Sequence, residues 1–204
     1  MEGLRFGLAL LVLLGLPGGV LLWLCIHPFA DRWRRIGPGW TYAILLVPIT
    51  ALGAVVFRAR HRLLAVDYGT HHGLLILGFV AALGAGLIAY RRRGLLTFAV
   101  LAGLPELSPE RHPRNLLTEG IYARIRHPRY VELSLWVLAY ACVANYLATW
   151  IALAALLPAL YLIVVLEERE LRERFGQEYA DYASRVPRFI PRSARPRPTS
   201  RSGS

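Results

Sequence analysis

The chain contains no lysine. All 24 of its basic residues are arginines, set against 13 acidic residues in a length of 204. It has two cysteines, Cys25 and Cys142, each inside an apolar run. That excludes a disulfide framework and a thiol pair at metal spacing, and both residues read as small packing groups. Charge itself is missing over long stretches: residues 6–26, 40–57, 73–90 and 133–166 hold none, in runs of 21, 18, 18 and 34 residues. A helix needs about 20 apolar residues to cross a hydrocarbon core of about 30 Å, so these runs exclude a soluble globule. A hydrophobic content of 55% and a mean hydropathy of +0.42 exclude a disordered or fibrous chain. A net charge of +11 would point to nucleic acid in a soluble protein. Here the arginines lie between apolar runs, where they set membrane topology, and no nucleic-acid partner is expected.

The longest run decides the topology. As one helix its 34 residues would reach about 50 Å, far beyond one crossing. Split near Asn145, it becomes two short spans joined by a polar turn, with Tyr146 and Trp150 at interfacial depth. Residues 91–129 carry eight arginines and the tail after Glu167 carries nine. A hairpin places both basic segments in the cytosol, whereas a single crossing would separate them. The sequence therefore predicts an all-α integral membrane protein of about five transmembrane helices, N-terminus outside and C-terminus inside. Arg58, Arg60 and Arg62 then fall on the outer face, against Arg32, Arg34 and Arg35 on the inner one, and run counter to the trend. The first run follows Glu2 and Arg5 and has no small-x-small cleavage site before Asp31, so it reads as a retained span, bent at Pro17, Gly18 and Gly19.

Three regions follow. Residues 1–93 form an N-terminal three-span membrane region. Residues 94–192 form a second region that opens with an apolar stretch, 94–104, too short to cross and suited to an interfacial or re-entrant helix. Residues 193–204 are rich in Arg, Pro and Ser and read as a disordered basic tail attracted to anionic lipid. Gly84 and Gly86 suggest close helix packing. Adjacent His71 and His72, near His61 and Asp67, diverge on a helix and do not make a metal site. Arg91–Arg93 read as a topological anchor. The Arg-His-Pro-Arg at 111–114 lacks the features that surround its echo at 126–129.

The informative stretch runs from Leu116 to Pro191. It contains Leu117 and Gly120-Ile121-Tyr122, then Arg126-His127-Pro128-Arg129-Tyr130 where the fourth span begins. Glu167-Glu168 stand where the fifth span ends. Beyond them come Phe175-Gly176-Gln177-Glu178-Tyr179, Tyr182 and Val186-Pro187-Arg188-Phe189-Ile190-Pro191. A hairpin brings the two boundaries together, so Arg126, His127 and Tyr130 are expected to face Glu167 and Glu168. Ionisable groups facing a bundle interior at a membrane boundary mark functional sites. Carboxylates accept bonds from amino groups or ribose hydroxyls, Arg clamps carboxylates, and Tyr and His offer flat faces to a purine. The set suits a zwitterionic ligand carrying an aromatic base. The plainer reading is that Glu168 with Arg172 and Glu170 with Arg174 are i,i+4 pairs that solvate a helix, and that Arg, His and Tyr anchor an interface.

In their order and spacing these motifs, over residues 94–191, resemble the C-terminal half of the isoprenylcysteine carboxyl methyltransferase and phospholipid methyltransferase superfamily. The resemblance implies an S-adenosylmethionine cofactor and a cytosolic C-terminal region that binds it. Carried over by position, it implies a pocket formed by Leu117, Gly120, Tyr122, His127, Pro128, Tyr130, Glu167, Glu168, Tyr179 and Tyr182. Arg126, Tyr130, Glu167 and Arg188 would be its catalytic residues. Arg126 or Arg188 would hold the methionine carboxylate or orient an acidic substrate, and Glu167 or Glu168 would receive the cofactor's amino group. The family usually has glycine where this chain has Glu132, so either the pocket is rearranged or Glu132 touches substrate. The implied reaction is in-line displacement at the sulfonium methyl, with alignment and a dry site as the protein's contribution and no metal. A carboxylate, thiol or amine, membrane-embedded or small and apolar, would accept the methyl. An amine would need a carboxylate or Tyr to take its proton. A nicotinamide-dependent membrane reductase of the sterol and steroid type, using NADPH, and a non-catalytic membrane protein are the alternatives. The absence of lysine suits a GC-rich genome, which would place the chain in a bacterial inner membrane.

Overall fold

A computed structural model describes residues 1–95 and 116–191. The expected interfacial stretch beyond residue 95, the motif at 111–114 and the basic tail from residue 192 lie outside these described residues.

Each long uncharged run becomes helix. The first is α1, Glu2–Ile26, which passes unbroken through Pro17 and ends in a 3-10 turn, His27–Phe29. A short α2, Ala30–Ile36, leads through Gly37 (φ 89°) into α3, Pro38–Leu63, and then α4, His72–Arg92. After a 3-10 turn at Gly120–Ala123 come α5, Pro128–Ala144, and α6, Leu147–Phe175, with a short α7, Gln177–Arg185, at the end. Among the described residues the only β pairing is an isolated bridge between Asp67 and Tyr146.

Among the described residues four helices are long and apolar enough to cross a membrane: α1 with its 3-10 turn, α3, α4 and α6. The expected count of five included α5. That helix has 17 residues, about 25 Å at 1.5 Å each, and is shorter than a hydrocarbon core of about 30 Å. Val47, Ile76 and Phe79 point out of the bundle from α3 and α4, exposed to the lipid of an integral membrane protein.

The 34-residue run breaks at Asn145, which adopts the left-handed conformation (φ 53°, ψ 44°). Its short amide side chain tolerates that geometry and repays it locally. Asn145 Nδ2 donates to the Gly69 carbonyl at 2.9 Å, and Trp150 Nε1 donates to Asn145 Oδ1 at 3.1 Å. The same end holds a buried arginine. Arg5 Nε donates to the Ala144 carbonyl at 3.1 Å, its guanidinium pairs with Asp67, and it lies over the Tyr146 ring. Tyr68 N–H donates to the Asn145 carbonyl and Leu147 N–H to the Val66 carbonyl, at 3.1 Å each. This far end thus joins the start of α1, the α3–α4 loop and the α5–α6 turn. Asp67 is taken up by Arg5 and His61 stacks on Phe6, so the histidine and aspartate near 61–72 do not converge.

Close packing of α4 on α5 rests on small residues, though not all those expected. A Cβ added at Gly78 would lie 3.1 Å from Cys142 Cβ and 3.2 Å from the Ala139 carbonyl, and Ala81 and Ala85 are buried nearby. Gly84 borders Leu135, but a side chain at Gly86 would meet nothing within 4 Å. Val12 of α1 joins Val137 of α5 and Leu156, Leu160, Ile163 and Val164 of α6 in one core cluster. That core holds the start of α5 against the end of α6.

Candidate active site

Helix α5 begins where its sequence says it should. Pro128 occupies the first turn, where its fixed φ suits a helix and its missing N–H costs no bond. His127 precedes it as N-cap, and Tyr130 follows one turn inside. Helix α6 runs for 29 residues, about 43 Å, so its last two to three turns extend past a hydrocarbon core of about 30 Å. Glu167 and Glu168 lie on that extension.

The expected meeting occurs. His127 Nε2 lies 3.1 Å from Glu168 Oε1, and Tyr130 donates its hydroxyl to Glu167 Oε2 at 2.9 Å. Arg126 Nη2 is 3.2 Å from Glu168 Oε1. Arg188 reaches the same carboxylate with both arms, Nε to Oε1 at 3.0 Å and Nη2 to Oε2 at 2.8 Å. Arg172 adds a bond of 3.4 Å from one turn along α6, the i,i+4 pair foreseen. Glu168 is therefore a fully buried hub with three guanidiniums and an imidazole around it. A buried carboxylate is tolerable only with such pairing. Glu167 is the more accessible of the two, with 14% of its side chain exposed against 1% for Glu168. The other foreseen pair does not form. Glu170 bonds His27 Nδ1 at 3.1 Å and Arg34 Nη2 at 3.3 Å, while Arg174 lies over the Phe175 ring.

The tail straps this cluster. Arg126 N–H donates to the Pro187 carbonyl at 2.9 Å and His127 N–H to the Arg188 carbonyl at 3.0 Å. Tyr182 donates to the Tyr122 carbonyl at 2.8 Å, fixing α7 under the 3-10 turn. Leu117, Tyr122, Arg126, His127, Tyr179 and Tyr182 line one small cavity. Pro128 is buried at the start of α5. Gly120 is not brought in: it is exposed with φ +60°, and a side chain there would meet Leu95 at 3.1 Å. Glu132 turns away from the cluster, clamped by Arg92 of α4 at 2.8 and 3.2 Å. The residue replacing the family's glycine thus ties two helices together instead of reaching into the pocket.

Two buried polar atoms on the cavity wall, the Tyr179 hydroxyl and Arg126 Nε, have no hydrogen-bond partner among the described residues. Burial first, then the charge of Glu168, pushes the Tyr179 phenol up to about 12, so it is a neutral group at ordinary pH and no proton-accepting base. Tyr182 is pushed up as well, by burial and by Tyr179. Aromatic walls with an unpartnered hydroxyl and a single unpartnered guanidinium nitrogen fit a purine-bearing ligand with a carboxylate. The enclosed space of about 40 Å³ is far smaller than such a ligand.

Residues 81–178, which contain the members of this cluster on α5 and α6 but not Tyr179, Tyr182 or Arg188, match the phospholipid methyltransferase family. The chain also resembles the protein-S-isoprenylcysteine O-methyltransferase of Schizosaccharomyces pombe, at 35% identity over 77 residues, 37% of this chain and 33% of that protein. It is 30% identical over 96 residues to protein-S-isoprenylcysteine O-methyltransferase B of Arabidopsis thaliana, covering 43% of this chain and 45% of that one. A cobalt-zinc-cadmium resistance protein, CzcN, of Cupriavidus metallidurans is 37% identical over 83 residues, 40% and 38% of the two chains. The matched region spans less than half the length of each of these relatives. Neither the family nor the two methyltransferases favours the reductase alternative.

Sequence reasoning missed three neighbours of the cluster. Phe189 packs its ring 6.1 Å from that of His127. Tyr161 accepts from Arg188 Nη1 at 3.2 Å. Trp23 sits under Arg129, with the guanidinium 4.7 Å from its ring centre. Phe189 lay inside a motif that had been singled out, but nothing in the sequence marked Tyr161 or Trp23.

Proposed function

We propose that this chain is an integral-membrane methyltransferase that moves a methyl group from S-adenosylmethionine to a membrane-associated or small apolar acceptor. The supporting observation is the convergence of His127 and Tyr130 on Glu167 and Glu168 within the family-matched stretch, with Pro187 and Arg188 strapped across it. When bound, S-adenosylmethionine supplies a sulfonium methyl that a nucleophile displaces in line, the electron pair leaving with sulfur.

The chain's own residues divide the remaining work. Tyr122, Tyr179 and Tyr182 offer aromatic walls to a purine. Arg126, with an unpartnered Nε beside the cavity, is the cation for a carboxylate. Glu167, the more accessible carboxylate, receives an amino group, and Tyr130 orients it. Glu168 is spent on holding Arg126, His127 and Arg188 in place. The reading includes five crossings, with the site and the C-terminus in the cytosol of a bacterium and the bundle in its inner membrane.

Calorimetric titration of the full chain in nanodiscs with S-adenosylmethionine is expected to give saturable binding, lost in Glu167→Gln. Incubation with apolar acids, thiols and amines is expected to release S-adenosylhomocysteine. Absence of binding by the unaltered chain overturns the reading.

A further inference from the structure

Helices α4 and α5 run antiparallel and touch at successive levels. Toward the far end Gly78 lies against Cys142 and Ala139, and further along Gly84 borders Leu135. At the site end the contact changes in kind. Arg92, the last residue of α4, grips Glu132 of α5, with Nε 2.8 Å from Oε2 and Nη2 3.2 Å from Oε1. Each side chain is only 13% exposed, so the two-bond pair is largely shielded from water. Removing either partner leaves the other charge uncompensated.

Glu132 stands two residues beyond Tyr130, about 200° further round a helix of 3.6 residues per turn. The start of α5 thus shows His127 and Tyr130 to α6 and Glu132 to α4. What joins the Arg92–Glu132 pair to the polar cluster is the 3-10 turn Gly120–Ala123, which packs on the end of α4. Leu95 N–H donates to the Arg92 carbonyl at 3.1 Å, and a Cβ added at Gly120 would lie 3.1 Å from Leu95 Cδ1. This turn carries Tyr122, which lines the small cavity. On its other side the Tyr122 carbonyl accepts from Tyr182 of α7 at 2.8 Å. Arg126 and His127, which line the same cavity, belong to the mouth of α5. The spacing between Tyr122 and those two residues therefore follows how the end of α4 sits on α5, and the ion pair clamps the helices at that level.

Resting on the methyltransferase reading above, we infer that Arg92 and Glu132 are a positioning pair for the methyl donor. By clamping the end of α4 to the first turns of α5, they hold the Tyr122 ring at its distance from Arg126 and His127. Neither residue meets the donor, and both act through the turn that leans on α4. Breaking the pair lets the end of α4 and the turn move away from α5, which widens the cavity on the Tyr122 side. The core cluster shared by α1, α5 and α6 includes neither residue, so the bundle stays folded while donor affinity falls. Opposite charges in reversed places close the clamp again.

Fluorine NMR of the full chain in phosphatidylcholine nanodiscs reads the clamp without methyl donor or turnover. Fluorotyrosine replaces Tyr122 in one sample and, as a reporter of the far end, Tyr146 in another. Glu132→Ala is expected to shift and broaden the Tyr122 line and to leave the Tyr146 line in place. Calorimetry with S-adenosylmethionine on the unlabelled chains is expected to show affinity about tenfold weaker in Glu132→Ala, the size of one well-placed charge contact. Arg92→Glu combined with Glu132→Arg is expected to return the Tyr122 line and to bring affinity back within about threefold. A Tyr122 line that does not move, or equal disturbance of both lines, overturns the positioning pair. So does a reversed pair that keeps the Tyr146 line and restores nothing, or a displaced Tyr122 line with affinity within about twofold of the original. Displacement and rescue at Tyr122 in a chain that, unaltered, binds no S-adenosylmethionine overturn the methyltransferase reading and leave the clamp on Tyr122 standing.

Discussion

The two ends of the bundle each bury an arginine–carboxylate arrangement, and they are built to opposite ends. At the far end Arg5 answers one carboxylate, one backbone carbonyl and one aromatic face. Loop amides close around it, and the result is a clasp across three chain segments. At the site end one carboxylate, Glu168, gathers Arg126, Arg172, Arg188 and His127. That end holds more positive charge than negative, and beside it stand a hydroxyl and a guanidinium nitrogen without partners among the described residues. A matched pair closes a structure. A surplus of donors leaves it able to receive something.

Glu168→Gln strikes this difference hardest. Removing the charge strands the guanidiniums of Arg126 and Arg188 and is expected to cost about 3–5 kcal/mol. Thermal unfolding in detergent, with loss of cofactor binding, measures it. If the variant unfolds within a degree of the original, Glu168 is not the hub. Arg5→Met should cost less, about 1–3 kcal/mol, because it leaves the Ala144 carbonyl without its arginine donor and Asp67 without its cation, though still bonded by the Gly69 amide, while the site end keeps its donors. It should lower the unfolding temperature and leave S-adenosylmethionine affinity within about twofold. Tyr179→Phe should show the reverse: no bond within the fold is lost, so stability stays within about 0.5 kcal/mol. Cofactor affinity should fall about fivefold, the worth of one neutral hydrogen bond.

Alkali, unlike acid, should separate the ends, and more gently than these substitutions. Burial works against the Asp67 charge, but bonds from Arg5 and the Gly69 amide hold its carboxyl below the ordinary 3.8. Burial likewise works against the Glu168 charge, but bonds from His127 and Arg188 hold its carboxyl down from 4.5 to about 2. Each contribution is complete above the ordinary value and is lost as pH falls below it, so acid loosens both ends. The Tyr179 phenol is raised from 10.0 to about 12, so its contribution is complete below pH 10 and is lost as pH rises toward 12. Hydrogen exchange in alkali should quicken at Arg126 and His127 before Tyr68 and Leu147. The reverse order in alkali would erase the distinction.

Much of the site end was readable in the sequence because its partners lie at the two mouths of one hairpin, and a hairpin forces its mouths together. The break at Asn145 was readable for a related reason: a 34-residue run is too long for one crossing and has this polar turn residue near its middle. What escaped were pairings between helices distant in sequence, 62 residues apart for Arg5 and Asp67, 40 for Arg92 and Glu132, and 143 for His27 and Glu170. Those depend on how each helix is rotated about its axis. Apolar runs that are hydrophobic on every face carry no stripe to reveal that rotation.

Helix α6 is a single rod from Leu147 to Phe175. Glu168 stands about 32 Å along it from its first residue, close to one bilayer thickness. The rod therefore acts as a gauge of the membrane it crosses. With Tyr146 and Trp150 fastening its near tip at one surface, thickening or thinning the lipid by a few ångströms moves the opposite surface past Glu167 and Glu168. On the methyltransferase reading, the depth at which a lipid-borne nucleophile would meet a water-borne donor is set by the host bilayer as well as by the fold. Acyl length would then be a control on turnover that no change in the protein is needed to exert.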